Sequence, residues 1–129
     1  MKEKESKYGV KVTRELIRNP KNLTEVLESL RLRPGMYLGE ASAHNLHVWL
    51  QGVICGLNFN KDFDFDLDLF EFDTFVQDHY DWHDTGGWAA KISYYHRNEY
   101  DSLEEFFRLY DKYREEKKET REPEDREGL

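Results

Sequence analysis

Apolar residues recur along this chain at the spacing of helical faces, with one stretch that breaks the period. Leu23, Val26, Leu27 and Leu30 fall at i, i+3, i+4 and i+7, and Asn22 and Glu25 stand at the two positions of a capping box. A helix is therefore expected after Asn22. It should stop before Pro34, because a residue that precedes proline is pushed out of the helical region. Leu46, Trp49, Leu50, Val53, Ile54 and Leu57 make the longest stripe, with Ser42 as its N-cap, and predict the central helix. Phe72, Phe75, Val76 and His79 mark a third helix, and Leu103, Phe106, Phe107, Tyr110 and Tyr113 a fourth. Ser102 and Glu105 form the capping box expected to open that last one. A shorter piece after Gly86 and Gly87 aligns Trp88, Ile92 and Tyr95. Helix is preferred there, although a strand also fits.

The exception is "DFDFDLDL", Asp62 to Leu69, where acid and apolar side chains alternate strictly. Alternation puts the carboxylates on one side of an extended chain. Aspartate is a poor strand former and no partner strand is evident, so an extended loop laying Phe63, Phe65 and Leu67 on the core is expected. The predicted fold is all-α, a single compact domain of about five helices with a possible extended segment near 62–69. Its expected core holds Trp49, Leu50, Val53, Phe75, Trp88, Phe106 and Tyr110. The domain should span residues 23–116. A basic arm over 1–22, with seven Lys or Arg against three Glu, and a charged tail over 117–129, broken by Pro123, are expected to be peripheral.

Composition narrows what such a domain does. The 129 residues are 38% hydrophobic, 15% aromatic and 36% charged, enough apolar material for one core. A net charge of -8 argues against general affinity for nucleic acid or anionic lipid and in favour of a neutral or basic partner. The single cysteine, Cys55, forms no internal disulfide and is read as a small core residue. No window is long and apolar enough to span a membrane and the first residues carry no apolar leader segment, so a cytoplasmic location is expected.

Chemistry is sparse. Ser42 has histidines nearby but no oriented acid, and serves better as a cap than as a nucleophile. His79 and His83, with Asp78, Asp81 and Asp84 beside them, invite a metal reading. The helix is expected to end near Trp82, however, which spreads the pair. A calcium loop from Asp62 is disfavoured, since its sixth position is Leu67 and its twelfth Asp73. Gly52 and Gly56, four apart, are expected to let another helix approach closely. No catalytic residue, metal site or cofactor is assigned.

The motif "RPGMYLG", Arg33, Pro34, Gly35, Met36, Tyr37, Leu38 and Gly39, has a structural reading. Pro34 stops a helix, Gly35 and Gly39 permit unusual backbone angles, and Met36, Tyr37 and Leu38 drop onto the next helix. Arg33 is placed to meet carbonyls at a helix end or a nearby carboxylate. A ligand site is the competing reading. The motif also resembles a segment near the start of the ATPase domain of the gyrase B and topoisomerase family, and the likeness continues through Leu46 and His47. It then fails where chemistry begins: Gly52 stands for the general base, Cys55 for the second acid and Gly56 for the magnesium ligand. Glycine serves neither role.

A second resemblance covers residues 24–114. "RPGMYLG" at 33–39, "LHVWLQGVICGL" at 46–57, "FDTFV" at 72–76, "GGW" at 86–88 and "EEFFRLYDKY" at 104–113 together resemble small bacterial proteins of the immunity type found in contact-dependent growth inhibition. That likeness implies a protein that binds a toxin domain and blocks it, without catalysis.

Residues 62–84 carry nine carboxylates and no Lys or Arg, interleaved with aromatic residues. Charge of one sign steers a basic partner while aromatics supply buried anchors. The expected partner surface comprises Asp62, Asp64, Asp66, Asp68, Asp78, Tyr80, Asp81, Trp82 and Asp84, and the expected partner is a cognate toxin with a basic surface, such as a nuclease. A non-catalytic scaffold or regulatory binding module, and an enzyme, are the competing classes.

Overall fold

The structure is a computed structural model that describes residues 4–5, 7–84 and 86–127, with side chains over 7–84 and 86–118. The outermost residues of the predicted arm and tail lie outside the described residues. The chain is mostly helical, as the periodicity predicts, but the described residues hold seven helices rather than five. Two compact units carry them, one up to Asp68 and the other from Leu69 onward.

The first unit opens with a short antiparallel ladder, β1 (Lys4–Glu5) on β2 (Lys11–Val12), followed by α1 (Arg14–Arg18). Part of the expected peripheral arm is thus ordered structure: Val12 is buried, and the Thr13 hydroxyl caps α1 by accepting from the Leu16 N–H. Then come α2 (Leu23–Leu32), α3 (Pro34–Leu38) and α4 (Ala43–Leu57). α2 starts where its capping box predicts. Asn22 Oδ1 accepts from the Glu25 N–H at 2.8 Å, while Glu25 Oε1 reaches back to the Lys21 N–H at 3.0 Å. Ser42 Oγ caps α4 through the Asn45 N–H.

Residues 62–68 form no helix, and within them Asp64 finds a backbone partner after all. The Asp64 N–H donates to Lys21 O at 2.9 Å, and Asn22 and Asp64 form an isolated parallel bridge. Phe63 thereby joins Leu23 and Val26 in a buried cluster, against which Trp49, Val53, Ile54, Leu57 and Leu67 pack in part. Phe65 stays 38% exposed, with its ring against Phe63.

The second unit holds α5 (Leu69–Tyr80), α6 (Trp88–Tyr95) and α7 (Glu99–Glu127). Residues 88–95 are helix, which decides the helix-or-strand alternative. Phe72 is the hub, with ring contacts to Phe75, Trp88, Phe106 and Tyr113 at 5.4–6.4 Å. These edge and offset geometries are the favoured ones for aromatic pairs. Of the expected core, Leu50, Trp88, Phe106 and Tyr110 are buried, whereas Trp49, Val53 and Phe75 are half-buried.

Several expectations are corrected. α7 begins at Glu99, three residues before Ser102, because Asn98 Oδ1 accepts from the N–H groups of Tyr100 and Asp101. Ser102 turns its hydroxyl back to Glu99 O. Helical backbone runs past Pro123 to Glu127, in a stretch of strong helix formers that outweighs one lost donor. Cys55 is exposed, since the α4 face that carries it is not covered by the core.

Candidate functional site

The α5–α6 connection is built by a reversal that its sequence does not advertise. Trp82 N–H donates to Gln77 O at 3.0 Å and Asp81 N–H to Asp78 O at 3.3 Å, the paired bonds of a Schellman ending. The residue between must be left-handed. Asp81 is, at φ 51°, and is the one described non-glycine residue with positive φ. The turn sends Trp82 back beside Tyr94 and Tyr95 of α6, at 5.2 and 6.2 Å, while Tyr80 stacks on Tyr95 at 4.5 Å and 15°. Tyr94 and Tyr95 remain 60% and 51% exposed. Four aromatic rings therefore meet at one corner of the unit, part of them open to solvent.

A buried cation pins this corner. Lys91 is the sole Lys or Arg between residues 62 and 96, and it is 1% exposed. Its ammonium donates to the carbonyls of Asp84 (3.2 Å) and Gly86 and lies 5.6 Å from the Trp82 ring centroid. Carbonyl dipoles and an aromatic face replace the water that a buried ammonium loses. This charge points inward, whereas Asp78, Asp81 and Asp84 are exposed. The outward face of the corner is consequently acidic, with His83 its nearest basic group: Nε2 is 2.9 Å from Asp78 and Nδ1 3.8 Å from Asp81. Behind the rings, burial and the neighbouring Glu105 push the Tyr80 hydroxyl up to about 12, so it is neutral at physiological pH. Glu105, read from sequence as a capping residue, is instead 5% exposed and held by Arg108 at 2.5 Å and His96 at 3.1 Å.

The other half of the acidic run is used differently. Asp66 Oδ1 accepts from the N–H groups of Leu23 (2.9 Å) and Thr24 (3.2 Å), and Oδ2 accepts from the Thr24 hydroxyl at 2.5 Å. A carboxylate at a helix N-terminus satisfies orphan donors and favours the positive end of the helix dipole. Asp66 is therefore a long-range cap of α2. Asp64 contributes its backbone to the bridge, and Asp62 and Asp68 are exposed. The nine residues expected to form one partner surface divide between the two units. Only Asp78, Tyr80, Asp81, Trp82 and Asp84 are brought together at the aromatic corner, where Tyr94, Tyr95 and Lys91 join them. The sequence signal for Lys91 was its isolation; a lone cation in a long acidic stretch has many acceptors and few competitors.

The "RPGMYLG" motif is not an irregular corner but a second short helix. Pro34 occupies the first helical position, where its missing N–H costs nothing. Gly35 is helical, and only Gly39, at φ 68°, needs the freedom of glycine. Met36 is 60% exposed rather than packed, while Tyr37 sets its ring edge-on to Trp49 at 5.6 Å. Arg33 is an exposed residue. No helix approaches Gly52 or Gly56: a Cβ built on either meets nothing within 4 Å among the described residues. Each mid-helix glycine nevertheless costs roughly 0.5–1 kcal/mol relative to alanine.

Among the described residues no three His, Cys, Asp or Glu side chains converge as metal ligands, and no helix is long and apolar enough to cross a membrane. Comparison of the chain with protein-family models, with curated proteins and with solved structures finds no match.

Proposed function

We propose that this chain is a non-catalytic inhibitor of the immunity type, which docks a basic cleft of a cytosol-acting toxin, such as an RNase, onto the α5–α6 corner. The observation that carries the reading is the partly exposed cluster of Tyr80, Trp82, Tyr94 and Tyr95, bordered by Asp78, Asp81 and Asp84. Large rigid rings supply interfacial contact area at little entropic cost, and carboxylates around them complement a cleft that binds phosphates. Inhibition by occlusion asks nothing of the chain except fit and charge. Asp66 leaves the docking set because its carboxylate is committed to α2.

The test uses the protein encoded immediately beside this chain's gene. That protein is expressed alone and together with the parent chain, with Trp82→Ala, and with the triple variant Asp78→Lys, Asp81→Lys, Asp84→Lys. Growth arrest relieved by the parent and not by the folded triple variant supports the reading. Trp82→Ala is expected to weaken the complex by about 2 kcal/mol, mainly through faster dissociation. Added salt should slow association as the charges are screened. A folded triple variant that protects cells as well as the parent rules the corner out as the inhibitory surface. A neighbour that binds at the corner and is not toxic favours a scaffold or regulatory module instead.

A further inference from the structure

We propose that the groove between α5 and α7 binds an aliphatic polyamine, with one ammonium at Asp78 and another two helical turns away, beside Glu71 and Glu116. The site lies within the second unit. It shares Asp78 with the docking corner but does not depend on that reading.

The first observation is the order of side chains along the groove. Glu71, Thr74, Phe75 and Asp78 fall at i, i+3, i+4 and i+7 on one face of α5, so the two carboxylates stand about 10 Å apart along the axis. Tyr113, Glu116 and Lys117 of α7 supply the opposite wall, and the space enclosed is about 350 Å³. That falls at the lower end of small-molecule sites. Phe75 and Tyr113 meet ring to ring at 5.6 Å, which gives the middle of the groove an aromatic wall. Acid, apolar surface and acid follow one another.

The chain itself shows what this surface holds. Lys117 Nζ lies 2.8 Å from Glu71 Oε2 and 5.8 Å from the Tyr113 ring centroid, an alkylammonium seated between a carboxylate and an aromatic face. The bond to Glu71 raises the Lys117 pKa, so the charge is kept. One ammonium does not balance the walls, however. Among the described residues, Glu71, Asp78 and Glu116 line the groove against Lys117 alone; three carboxylates less one ammonium leave two negative charges. Lys117 and Glu71 are 41% and 48% exposed, which leaves that end open to a second ammonium. At the other end His83 meets Asp78 Oδ1 at 2.9 Å, and the Asp78 side chain stays 67% exposed.

These features select among occupants. A metal ion needs its ligands gathered at one point, whereas these carboxylates are spread over two turns of α5 and across to α7. An extended peptide would set backbone N–H and C=O groups on Phe75, where they lose water without gaining partners. A methylene chain with an ammonium at each end lays its carbon on Thr74 and Phe75 and brings the two missing charges to the two acidic ends.

Octane-1,8-diamine serves as the probe. Octylamine, with one ammonium, and butane-1,4-diamine, too short to reach both ends, are its controls, each titrated calorimetrically into the full chain at low ionic strength. The parent should bind the probe saturably at one site and each control about 10-fold more weakly. Spermidine should displace the probe. Asp78→Asn and Glu116→Gln, both at exposed positions, should each weaken the probe about 10-fold, while Asp62→Asn, which removes the same charge outside the groove, should leave it unchanged. Lys117→Met frees Glu71 and should tighten the probe; Lys118→Met, the same charge change one residue on, should not. Absence of saturable probe binding overturns the proposal. So does an equal loss in Asp62→Asn, which would mean attraction to the net charge of the chain, and so does octylamine binding as tightly as the diamine, which would mean an apolar groove whose acidic ends play no part.

Discussion

Residues 62–68 and 78–84 have nearly the same composition. The first holds four aspartates with Phe63 and Phe65, the second three aspartates with Tyr80 and Trp82. Their carboxylates, all exposed, are used differently. In 62–68 the backbone buries Phe63, pairs with Asn22, and carries Asp66 onto the Leu23 and Thr24 N–H groups at the start of α2. In 78–84 the helix ends in a left-handed residue, the aromatic rings remain partly exposed, and the carboxylates face water. An acidic run is thus not one surface. A carboxylate is bonded where the first N–H groups of a helix need acceptors, and it is left to solvent beside a helix C-terminus, which repels it.

Lys91 provides the most severe way to break the outward-facing half. Lys91→Ala removes a fully buried stem and the ammonium that ties Asp84 and Gly86 together. It should cost about 3 kcal/mol in urea unfolding. Lys91→Met restores most of the stem volume but not the tether. It should recover stability while amide exchange over residues 82–87 stays faster than in the parent. A cost below about 1 kcal/mol for Lys91→Ala would show that the corner holds its shape without the cation.

Asp66 tests the half that caps α2. Asp66→Ala strands two backbone donors and the Thr24 hydroxyl, a loss expected at about 2 kcal/mol. The control is Asp62→Ala, two alternations earlier on the same run. Asp62 is exposed, and its removal should stay within about 0.5 kcal/mol. Equal effects at the two positions would mean that the capping geometry contributes little and that the run acts as undifferentiated surface.

How far the sequence discloses such differences depends on the range of the interaction. α2 and α4 were legible because Asn22, Glu25 and Ser42 act on N–H groups within three residues. The third and fourth helices were legible because Phe72, Val76, Phe106 and Tyr110 repeat at helical spacing. Asp66 bonding 42 and 43 residues away was not legible, since nothing local marks which of four alternating aspartates meets a helix end. α3 was missed because Pro34 reads equally as the stop of one helix and the first residue of the next. Asn98 and Ser102 both fit a cap, and only the observed hydrogen bonds choose the earlier. Of the candidate site, Tyr80 and Trp82 were named, but Tyr94 and Tyr95 were hidden inside a stretch that also reads as core helix.

Asp81 sharpens the comparison at the smallest scale. It occupies the left-handed position of the Schellman ending, φ 51°, where glycine is the usual residue and any Cβ is disfavoured. Its side chain is 97% exposed, with His83 Nδ1 3.8 Å away. Asp81→Gly should therefore stabilise the second unit by roughly 0.5–1 kcal/mol, a rise in Tm of a few degrees. Asp81→Ala gains nothing, because the Cβ remains. If the corner docks a basic partner, the same glycine variant should associate more slowly at low salt, with the difference shrinking as salt is added. Stability and association rate then move in opposite directions, the signature of a charge kept at a conformational cost. A variant with unchanged Tm and unchanged association rate would leave Asp81 neither strained nor used.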